Sequence, residues 1–339
     1  MPETDTPSEL DLALAHALQL RPRASWAELA PPLGVSASTL ARRWARLREA
    51  GLAWVTAAPG PAYARSRCTA FVLVRCAPGA RERLMRELAA YPQVATVEAV
   101  TSGGDVLLDV LTPDLPALGA LLTGELEHLD GLTSLSCMIA TSLRVEGSRW
   151  RLRSLDPAQR TALREGDPRP QAERTGGGEL DALDRALLRE LLHDGRLTWA
   201  ELAPRTGAST ATVRRRLRRL ESSGLVTFRC DLAETLAGRP VPVTLLARVP
   251  APDVDAAHQV VAALPECRLV AAVTGPANIL ATLWVHDLSD LHRVESALCT
   301  RLPGLTVTDR IVGLYTVKRM GHLLDREGRH EGVGEFGPW

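Results

Sequence analysis

The stretch of residues 180–226 sets the architecture of this chain and reads LDALDRALLRELLHDGRLTWAELAPRTGASTATVRRRLRRLESSGLV. Its leucines recur at helical spacing until Gly195, where a first helix is expected to end. Thr198 can cap a second helix that stops at Gly207, and a third helix is expected over residues 211–223. Helices joined by a short glycine-containing turn in this way predict a helix-turn-helix.

The third helix carries most of the positive charge of this stretch. Val213, Leu217 and Leu220 form a stripe at helical spacing, which predicts a face packed against the core. The other faces carry Arg214, Arg215, Arg216, Arg218 and Arg219. A guanidinium group can pair with a phosphate or with the edge of a guanine. An arginine-rich helix can also be a solvated surface, but a helix-turn-helix around it favours DNA binding.

The chain contains this unit twice. Residues 26–52 and 199–225 match without a gap, with Trp26 aligned to Trp199, and 15 of these 27 positions are identical. Residues that this alignment places together are equivalent positions of the repeat. The first copy repeats the design, with Leu40, Trp44 and Leu47 in the predicted buried stripe. Because the same alignment persists downstream, the chain is predicted to be two copies of one unit of about 145–150 residues.

Side chains at the start and on the outer faces of the third helices are the candidate DNA contacts. They are Ser36, Ser38, Thr39, Arg42, Arg43 and Arg46 in the first copy and Ser209, Thr210, Thr212, Arg214, Arg215, Arg216 and Arg219 in the second. Base edges are expected to be read by the early-helix residues Thr212, Arg215, Arg216, Arg42 and Arg43. Arg46 and Arg219 lie one turn later and are expected to hold phosphates.

After each helix-turn-helix, strands and helices are predicted in the order βαββαβ, the ferredoxin-like arrangement. In the first copy they cover residues 71–74, 81–91, 94–100, 106–110, 115–129 and 132–143. In the second they cover residues 243–249, 254–264, 269–273, 279–285, 288–302 and 305–317. The predicted fold class is α+β: two copies of a winged-type helix-turn-helix domain, each followed by a βαββαβ domain.

Changes in composition mark the domain boundaries. The predicted order is helix-turn-helix, βαββαβ domain, linker, helix-turn-helix, βαββαβ domain and tail, over residues 8–58, 68–145, 146–178, 179–230, 240–320 and 321–339. The linker is charged and rich in Pro and Gly, and Asp156 followed by Pro157 predicts one short helix inside it. The tail is rich in Gly and poor in apolar residues, so it is expected to be mobile.

The composition excludes several classes of protein. The 40 basic and 40 acidic residues rule out a uniformly basic coat. The cysteines form no CxxC motif and lie near no His at zinc-ligand spacing, which argues against a structural zinc or a disulfide scaffold. No apolar signal segment is present, and the longest uncharged stretch, residues 269–285, is interrupted by TGPAN. A cytoplasmic protein with no membrane partner, metal, cofactor or catalytic residue is expected.

With these residues, a helix-turn-helix followed by βαββαβ resembles the Lrp/AsnC family, the leucine-responsive or feast/famine transcriptional regulators. Residues 180–226 match the family pattern LDxxDxxIL…DGR…LA…S…VxxRxxxLexxGxI. VTGPANILATLWV, residues 273–285, resembles the family's VTGxxDxLLxV turn, and Val317-Lys318-Arg319 resembles its last strand. Because a usual member carries one copy, this chain resembles a tandem-duplicated member.

The resemblance implies a sequence-specific DNA-binding regulator whose βαββαβ domains pair and sense an amino acid or a related small molecule. The matching turn residues are Thr101, Gly103, Gly104, Asp105, Thr274, Gly275 and Asn278. The family turn is Thr-Gly-x-x-Asp, so Ser102 and Asn278 depart from it. Asp105 is therefore the better-placed partner for the ammonium group of an amino-acid effector. Both segments can instead be simple tight β-turns.

Two other functions stay open on the sequence. Sirohaem decarboxylases resemble this family, pair two unlike copies and need His and Arg near the tetrapyrrole. None of the eight His here coincides with another when the two copies are aligned. The segments that follow each helix-turn-helix also lack the pattern associated with those enzymes, so the chain is expected not to be an enzyme. The other alternative is a non-sensing oligomerisation or architectural DNA-binding protein.

One chain is expected to mimic a family dimer, because it carries both recognition helices. The first sheet has Cys137 and Met138 where the second has Arg310 and Ile311, and such differences favour pairing of unlike copies. The expected partner is double-stranded DNA with pseudo-palindromic, unequal half-sites, contacted by helices roughly 34 Å apart. Further self-association through the βαββαβ domains is expected from the family resemblance.

Overall fold

The computed structural model describes residues 7–145, 150–165 and 179–337, which form two compact units. The helical unit contains residues 7–63, 151–165 and 179–237. The sheet unit contains residues 64–145, 150 and 238–337. Within the described residues, no helix is long and apolar enough to cross a membrane.

Both copies contain the predicted elements in the predicted order. The first copy forms α1 (Glu9–Leu20), α2 (Trp26–Leu33), α3 (Ala37–Glu49), β1 (Ala53–Pro59), α4 (Pro61–Arg65), β2 (Cys68–Cys76), α5 (Arg81–Ala89), β3 (Val94–Val100), β4 (Val106–Thr112), α6 (Leu115–Gly119) and β5 (Leu132–Val145). A π-helical turn (Ala120–Glu125) and a 3-10 turn (Leu126–His128) extend α6.

After α7 (Pro157–Glu165), the second copy forms the matching elements. They are α8 (Ala182–His193), α9 (Trp199–Thr206), α10 (Thr210–Ser222), β6 (Val226–Leu232), α11 (Glu234–Ala237), β7 (Val241–Arg248), α12 (Val254–Ala262), β8 (Cys267–Val273), β9 (Ile279–Val285), α13 (Leu288–Arg301) and β10 (Thr306–Arg319). Two further strands, β11 (His322–Leu324) and β12 (His330–Val333), follow β10. This order confirms two helix-turn-helix domains and two βαββαβ domains.

In the helical unit, the two copies are joined by an antiparallel ribbon of β1 and β6. Thr56 lies opposite Arg229 in this ribbon. These two residues also occupy equivalent positions of the repeat. A residue opposite its own equivalent marks an approximate two-fold axis, so the copies pair with each other inside one chain.

In the sheet unit, eight strands close on themselves in the order β3-β4-β2-β5-β8-β9-β7-β10, and β10 returns to pair with β3. The long strands β5 and β10 each pair with their own copy along one half and with the other copy along the second half. Two contacts repeat at equivalent positions: Ala140 lies opposite Val273, and Gly313 lies opposite Val100. Each copy buries its own helices against the sheet, and a third apolar cluster from both copies fills the interior.

Residues 151–165 of the predicted linker are folded onto the first helix-turn-helix. The Leu152 N–H donates to Oε1 of Gln19 at 2.7 Å, and the Leu155 N–H donates to Nδ1 of His16 at 3.2 Å. The helix predicted at Asp156 is present as α7. Residues 151–165 therefore belong to the helical unit, whereas residues 146–149 and 166–178 lie outside the described residues.

Residues 321–337 of the predicted tail are folded, which differs from the expectation of a mobile segment. Strand β11 pairs with β10, and β12 pairs with β11. Lys318, fully buried, donates to the carbonyl oxygens of Ala89, Tyr91 and Glu335 at 2.9, 3.0 and 2.5 Å. The tail is thus held by backbone pairing and by one lysine, and neither feature is visible in its glycine-rich composition.

Candidate nucleic-acid interface

The recognition helices α3 and α10 begin at equivalent serine caps. The Ser36 hydroxyl accepts the Thr39 N–H at 3.1 Å, and the Ser209 hydroxyl accepts the Thr212 N–H at 3.2 Å. All four side chains are exposed or half-buried at the helix start. The helix N-terminus is where backbone N–H groups and the helix dipole favour a phosphate.

The predicted apolar stripes are buried and set the direction of the arginines. In α10 the buried residues are Val213, Leu217 and Leu220, and in α3 they are Leu40, Trp44 and Leu47. Because these stripes face the core, the guanidinium groups between them project from the other faces of each helix.

Four of the predicted contact arginines are tied to the first helix of their own copy. Arg43 and Arg46 lie 3.0 and 2.9 Å from the carboxylate oxygens of Asp11, which is only 1% exposed. In the second copy Arg216 lies 2.6 Å from Asp181, and Arg219 contacts the fully buried Asp184. Asp11 and Asp184 are equivalent positions of the repeat, so in both copies a buried aspartate holds arginines of the recognition helix.

The surroundings of Asp11 favour the ionised form of its carboxylate. Burial alone would raise the pKa of Asp11, but hydrogen bonds from Ser8 and Arg43 outweigh burial and hold that pKa below its usual value. Asp11 therefore carries a negative charge at neutral pH between two guanidinium groups, which fixes the orientation of both.

Another set of arginines projects from the same helices without such ties. Arg42, Arg214, Arg215 and Arg218 are exposed, and none of them makes an ion pair with any described residue. Arg42 and Arg215 are equivalent, whereas Arg214 and Arg218 replace Ala41 and Ala45 of the first copy. The second copy therefore presents a more basic surface to a polyanion than the first copy does.

Three residues that shape this surface are absent from the sequence-based set of contacts: the exposed Arg218 and the buried Asp11 and Asp184. Arg218 is exposed beside the predicted contacts but is not one of them. Asp11 and Asp184 are too far along the chain from the arginines for spacing to connect them. Two signals in the sequence mark them: they occupy equivalent positions of the repeat, and Asp184 is the second Asp of the family pattern LDxxDxxIL.

The predicted effector turns hold the closed sheet together. The Thr101 N–H donates to the Val312 carbonyl at 3.1 Å, and the equivalent Thr274 N–H donates to the Ile139 carbonyl at 2.9 Å. The Ile139 N–H in turn donates to Oγ1 of Thr274 at 2.9 Å. Each threonine thus connects its turn by hydrogen bonds to the long strand of the other copy, β10 for Thr101 and β5 for Thr274.

Asp105 and Asn278 perform one structural task at equivalent positions. Oδ2 of Asp105 accepts the Cys76 N–H at 2.8 Å, and Oδ1 of Asn278 accepts the Val249 N–H at 3.0 Å. The Asn278 amide also donates to the Val249 carbonyl at 2.8 Å. Gly104 lies so close to Val74 that a Cβ there would meet its carbonyl oxygen at 2.8 Å. Effector binding by these residues stays a prediction beside this structural role.

The described residues contain no group of three or more His, Cys, Asp or Glu side chains that could hold a metal ion.

Comparison with protein families matches both halves of each copy. Residues 8–48 match the AsnC-type helix-turn-helix domain, and residues 180–227 match a winged helix-turn-helix DNA-binding domain. Residues 69–150 and 243–323 both match the Lrp/AsnC ligand binding domain.

Curated relatives match one copy at a time. An uncharacterized HTH-type transcriptional regulator of Pyrococcus horikoshii is 30% identical over 145 residues, which cover 42% of this chain and 91% of the relative. The leucine-responsive regulatory protein of Salmonella typhimurium is 33% identical over 155 residues, covering 44% of this chain and 93% of the relative.

Solved structures of one protein match both copies together. The siroheme decarboxylase NirDL superposes with a TM-score of 0.59 at 10% sequence identity, covering 91% of this chain and 93% of that chain. At this identity the likeness shows the fold alone.

Proposed function

The chain belongs to the Lrp/AsnC family of DNA-binding transcriptional regulators, and from this premise we propose that α3 and α10 bind two related but unequal half-sites of one operator. The observation that carries the proposal is the arginine surface of the two helices. Arg42 and Arg215 are equivalent, exposed and without ion pairs to any described residue, so they can reach base edges or phosphates in both half-sites.

The ion pairs favour a division of labour that differs from the one expected from sequence. Arg43 and Arg216 were expected to read bases, but their pairs with Asp11 and Asp181 favour a positioning role or a phosphate contact. Arg42 and Arg215 carry no such tie and become the preferred base readers. Thr39 and Thr212, beside the serine caps, complete the early-helix set.

The test starts from genomic fragments selected by the full chain, followed by retardation on one selected fragment and on random DNA. Arg215→Ala is expected to weaken binding by about 1–3 kcal/mol on the selected fragment and by less on random DNA. Arg205→Ala is the matched control, because Arg205 lies on α9 and pairs with Glu190 at 3.1 Å. Equal loss on both DNAs would assign Arg215 to the backbone, and no retardation at all would contradict DNA binding.

We also propose that the sheet unit takes an amino-acid effector, as its two matches to the Lrp/AsnC ligand binding domain favour. Calorimetry against the twenty amino acids tests this. Asp105→Asn is the informative variant, since Asn278 accepts the equivalent backbone N–H and the turn should survive. Loss of heat with an intact fold would support ammonium recognition by Asp105, whereas no heat with the natural chain would contradict sensing.

A regulator rather than a decarboxylase is the function we propose for this fold. The siroheme decarboxylase likeness rests on 10% identity, whereas the sequence matches are to regulators. A haem-type absorption band after incubation with an iron tetrapyrrole, together with loss of a carboxyl group from it, would favour the enzyme instead.

A further inference from the structure

The contacts between the two helix-turn-helix copies fall into a symmetric set and an asymmetric set. In the symmetric set, Arg23 stacks on Trp199 with its guanidinium carbon 4.7 Å from the ring centroid. The equivalent Arg196 stacks on Trp26 at 4.0 Å. Arg23 donates to the carbonyls of Gly195 and Leu197, and Arg196 donates to the equivalent carbonyls of Pro22 and Ala24.

The contacts of Arg23 and Arg196 stabilise the pairing of the two copies but do not distinguish unlike copies from identical ones. Burial lowers the pKa of Arg196 to about 10, and its charge is compensated by carbonyl dipoles and an aromatic face. Because both copies offer the same Arg, Trp and carbonyl groups, two identical copies could make the same contacts. The symmetric set therefore fixes the geometry of pairing without choosing the partner.

The asymmetric set consists of charges that change sign between the copies. Arg48 lies 2.9 Å from Asp194, across a cleft that Arg21 and Glu221 also line. Asp194 is the equivalent of Arg21, and Glu221 is the equivalent of Arg48. The first copy thus carries two positive charges where the second carries two negative charges.

Identical copies paired in this geometry would meet like charges. Two first copies would bring Arg48 of one against Arg21 of the other, and two second copies would bring Glu221 against Asp194. Like charges placed opposite each other disfavour a partner and are a known means of rejecting it.

The two copies also differ at the approximate two-fold axis of the β1–β6 ribbon. Thr56 and Arg229 are equivalent and lie opposite each other, so pairing of two second copies would place two buried Arg229 side chains together. Gly195 donates its N–H to the Val55 carbonyl at 2.7 Å, and a Cβ there would lie 2.8 Å from the Thr56 nitrogen. Pro22 is the residue of the first copy that is equivalent to Gly195. Proline has no N–H to donate to a carbonyl at this position, and its ring would not fit beside the strand.

We propose that this surface is a heterotypic recognition surface: each helix-turn-helix copy of this chain accepts the unlike copy and rejects its own kind. The partner that fits the first-copy surface carries acidic groups at the positions of Asp194 and Glu221 and a glycine at the position of Gly195. The inference concerns pairing and does not depend on DNA binding. It explains why one chain carries two diverged copies rather than two identical ones.

The test uses the full chain with a single cysteine on the axis. When unlike copies pair, the Thr56→Cys thiol lies opposite Arg229 and has no thiol to react with there. When the first copies of two chains pair, it lies opposite the same thiol of the second chain. Opposed strand residues lie within the Cα range that a disulfide spans. Under mild oxidation, Thr56→Cys is expected to give no more covalent dimer than the natural chain, whose exposed Cys299 sets the background.

Charge reversal should then switch the preference. Arg48→Asp in the Thr56→Cys background repels Asp194 and creates an attractive pair with Arg21 of a second chain. The covalent dimer is expected to rise roughly five-fold, and Asp194→Arg added to that variant should return it to background.

The second copy provides an independent version of the test. Arg229→Cys alone should stay at background, and Arg229→Cys with Asp194→Arg should form covalent dimer. Thermal melts of each variant identify any that does not fold. The proposal fails if a folded Thr56→Cys chain crosslinks freely, or if neither charge reversal raises the dimer in a folded background.

Discussion

Nη2 of Arg46 lies 2.9 Å from Oδ2 of Asp11, so a buried carboxylate of α1 holds an arginine of the recognition helix. Arg219 and Asp184 repeat this relationship in the second copy. Asp184 also completes the capping box of α8 with Asp181. Each aspartate thus connects the start of one helix to the face of another, and orients side chains proposed to meet DNA.

Asp184→Ala is expected to lower the free energy of unfolding by about 2–3 kcal/mol, because it removes a helix cap and the hydrogen bond from the charged Arg219 together. Urea denaturation measures the loss. Asp130→Ala is the control: Asp130 is 89% exposed and pairs with Arg83, so its loss should cost less than about 1 kcal/mol. Equal losses for the two variants would contradict the role assigned to Asp184.

The unequal charge of α3 and α10 predicts opposite effects of two substitutions on DNA binding. Arg218→Ala should reduce the slope of log affinity against log salt by about 1, since one phosphate contact is lost. Ala45→Arg, at the equivalent exposed position of α3, should increase that slope by about 1. Retardation at several salt concentrations measures both. Unchanged slopes in both variants would place this face of the helices away from the DNA.

His16 predicts that the helical unit loses stability in acid. Burial, with Arg151 and Arg160 nearby, lowers the pKa of His16 from 6.5 to about 4, and its Nδ1 must stay unprotonated to accept the Leu155 N–H. The unfolded chain therefore binds this proton at a higher pH than the folded chain does. Stability present above pH 6.5 is lost as the pH falls toward 4, by about 2 kcal/mol at pH 5.

Urea denaturation of His16→Gln at pH 7.5 and pH 5 checks this, because the substitution should remove that part of the pH dependence. The exposed His193 provides the control for the substitution itself, and His193→Gln should leave the free energy of unfolding at pH 7.5 unchanged. A His16→Gln chain with the full acid sensitivity of the natural chain would assign the effect to other groups.

Lys318 predicts that one side chain controls the order of the tail. Lys318→Met removes the donor to the Ala89, Tyr91 and Glu335 carbonyls while keeping an apolar stem in the same space. Faster amide exchange in β11 and β12 is expected, together with earlier proteolysis in the tail. Arg326→Ala, on the exposed turn that follows β11, should leave exchange in both strands unchanged.

The elements of both copies followed from local patterns in the sequence. The cap at Thr198 and the stop at Gly207 were readable because a cap and a left-handed glycine act within one helical turn. The buried stripes of α3 and α10 were readable for the same reason, since helical geometry brings residues three and four apart onto one face. The alignment of the two copies then extended each prediction from one copy to the other.

The candidate site was predicted only in part. Spacing placed Arg215 and Arg216 side by side at the start of α10, and nothing in the spacing distinguished them. The structure separates them, because Arg216 reaches Asp181 on α8 whereas Arg215 reaches no acidic group among the described residues. Adjacent residues of one helix face different neighbours, and those neighbours lie on elements that are distant in the sequence, as Asp181 is from Arg216.

Local patterns in the sequence were sufficient to define the two helix-turn-helix domains, the two βαββαβ domains and the family, because helix period, strand alternation and capping act between residues a few positions apart. The tertiary structure alone decided that Thr56 meets Arg229, that Arg48 meets Asp194, and that Lys318 fastens the tail. These contacts join residues far apart in the chain. Their strength depends on which surfaces meet and exclude water, and no local pattern of residues specifies that.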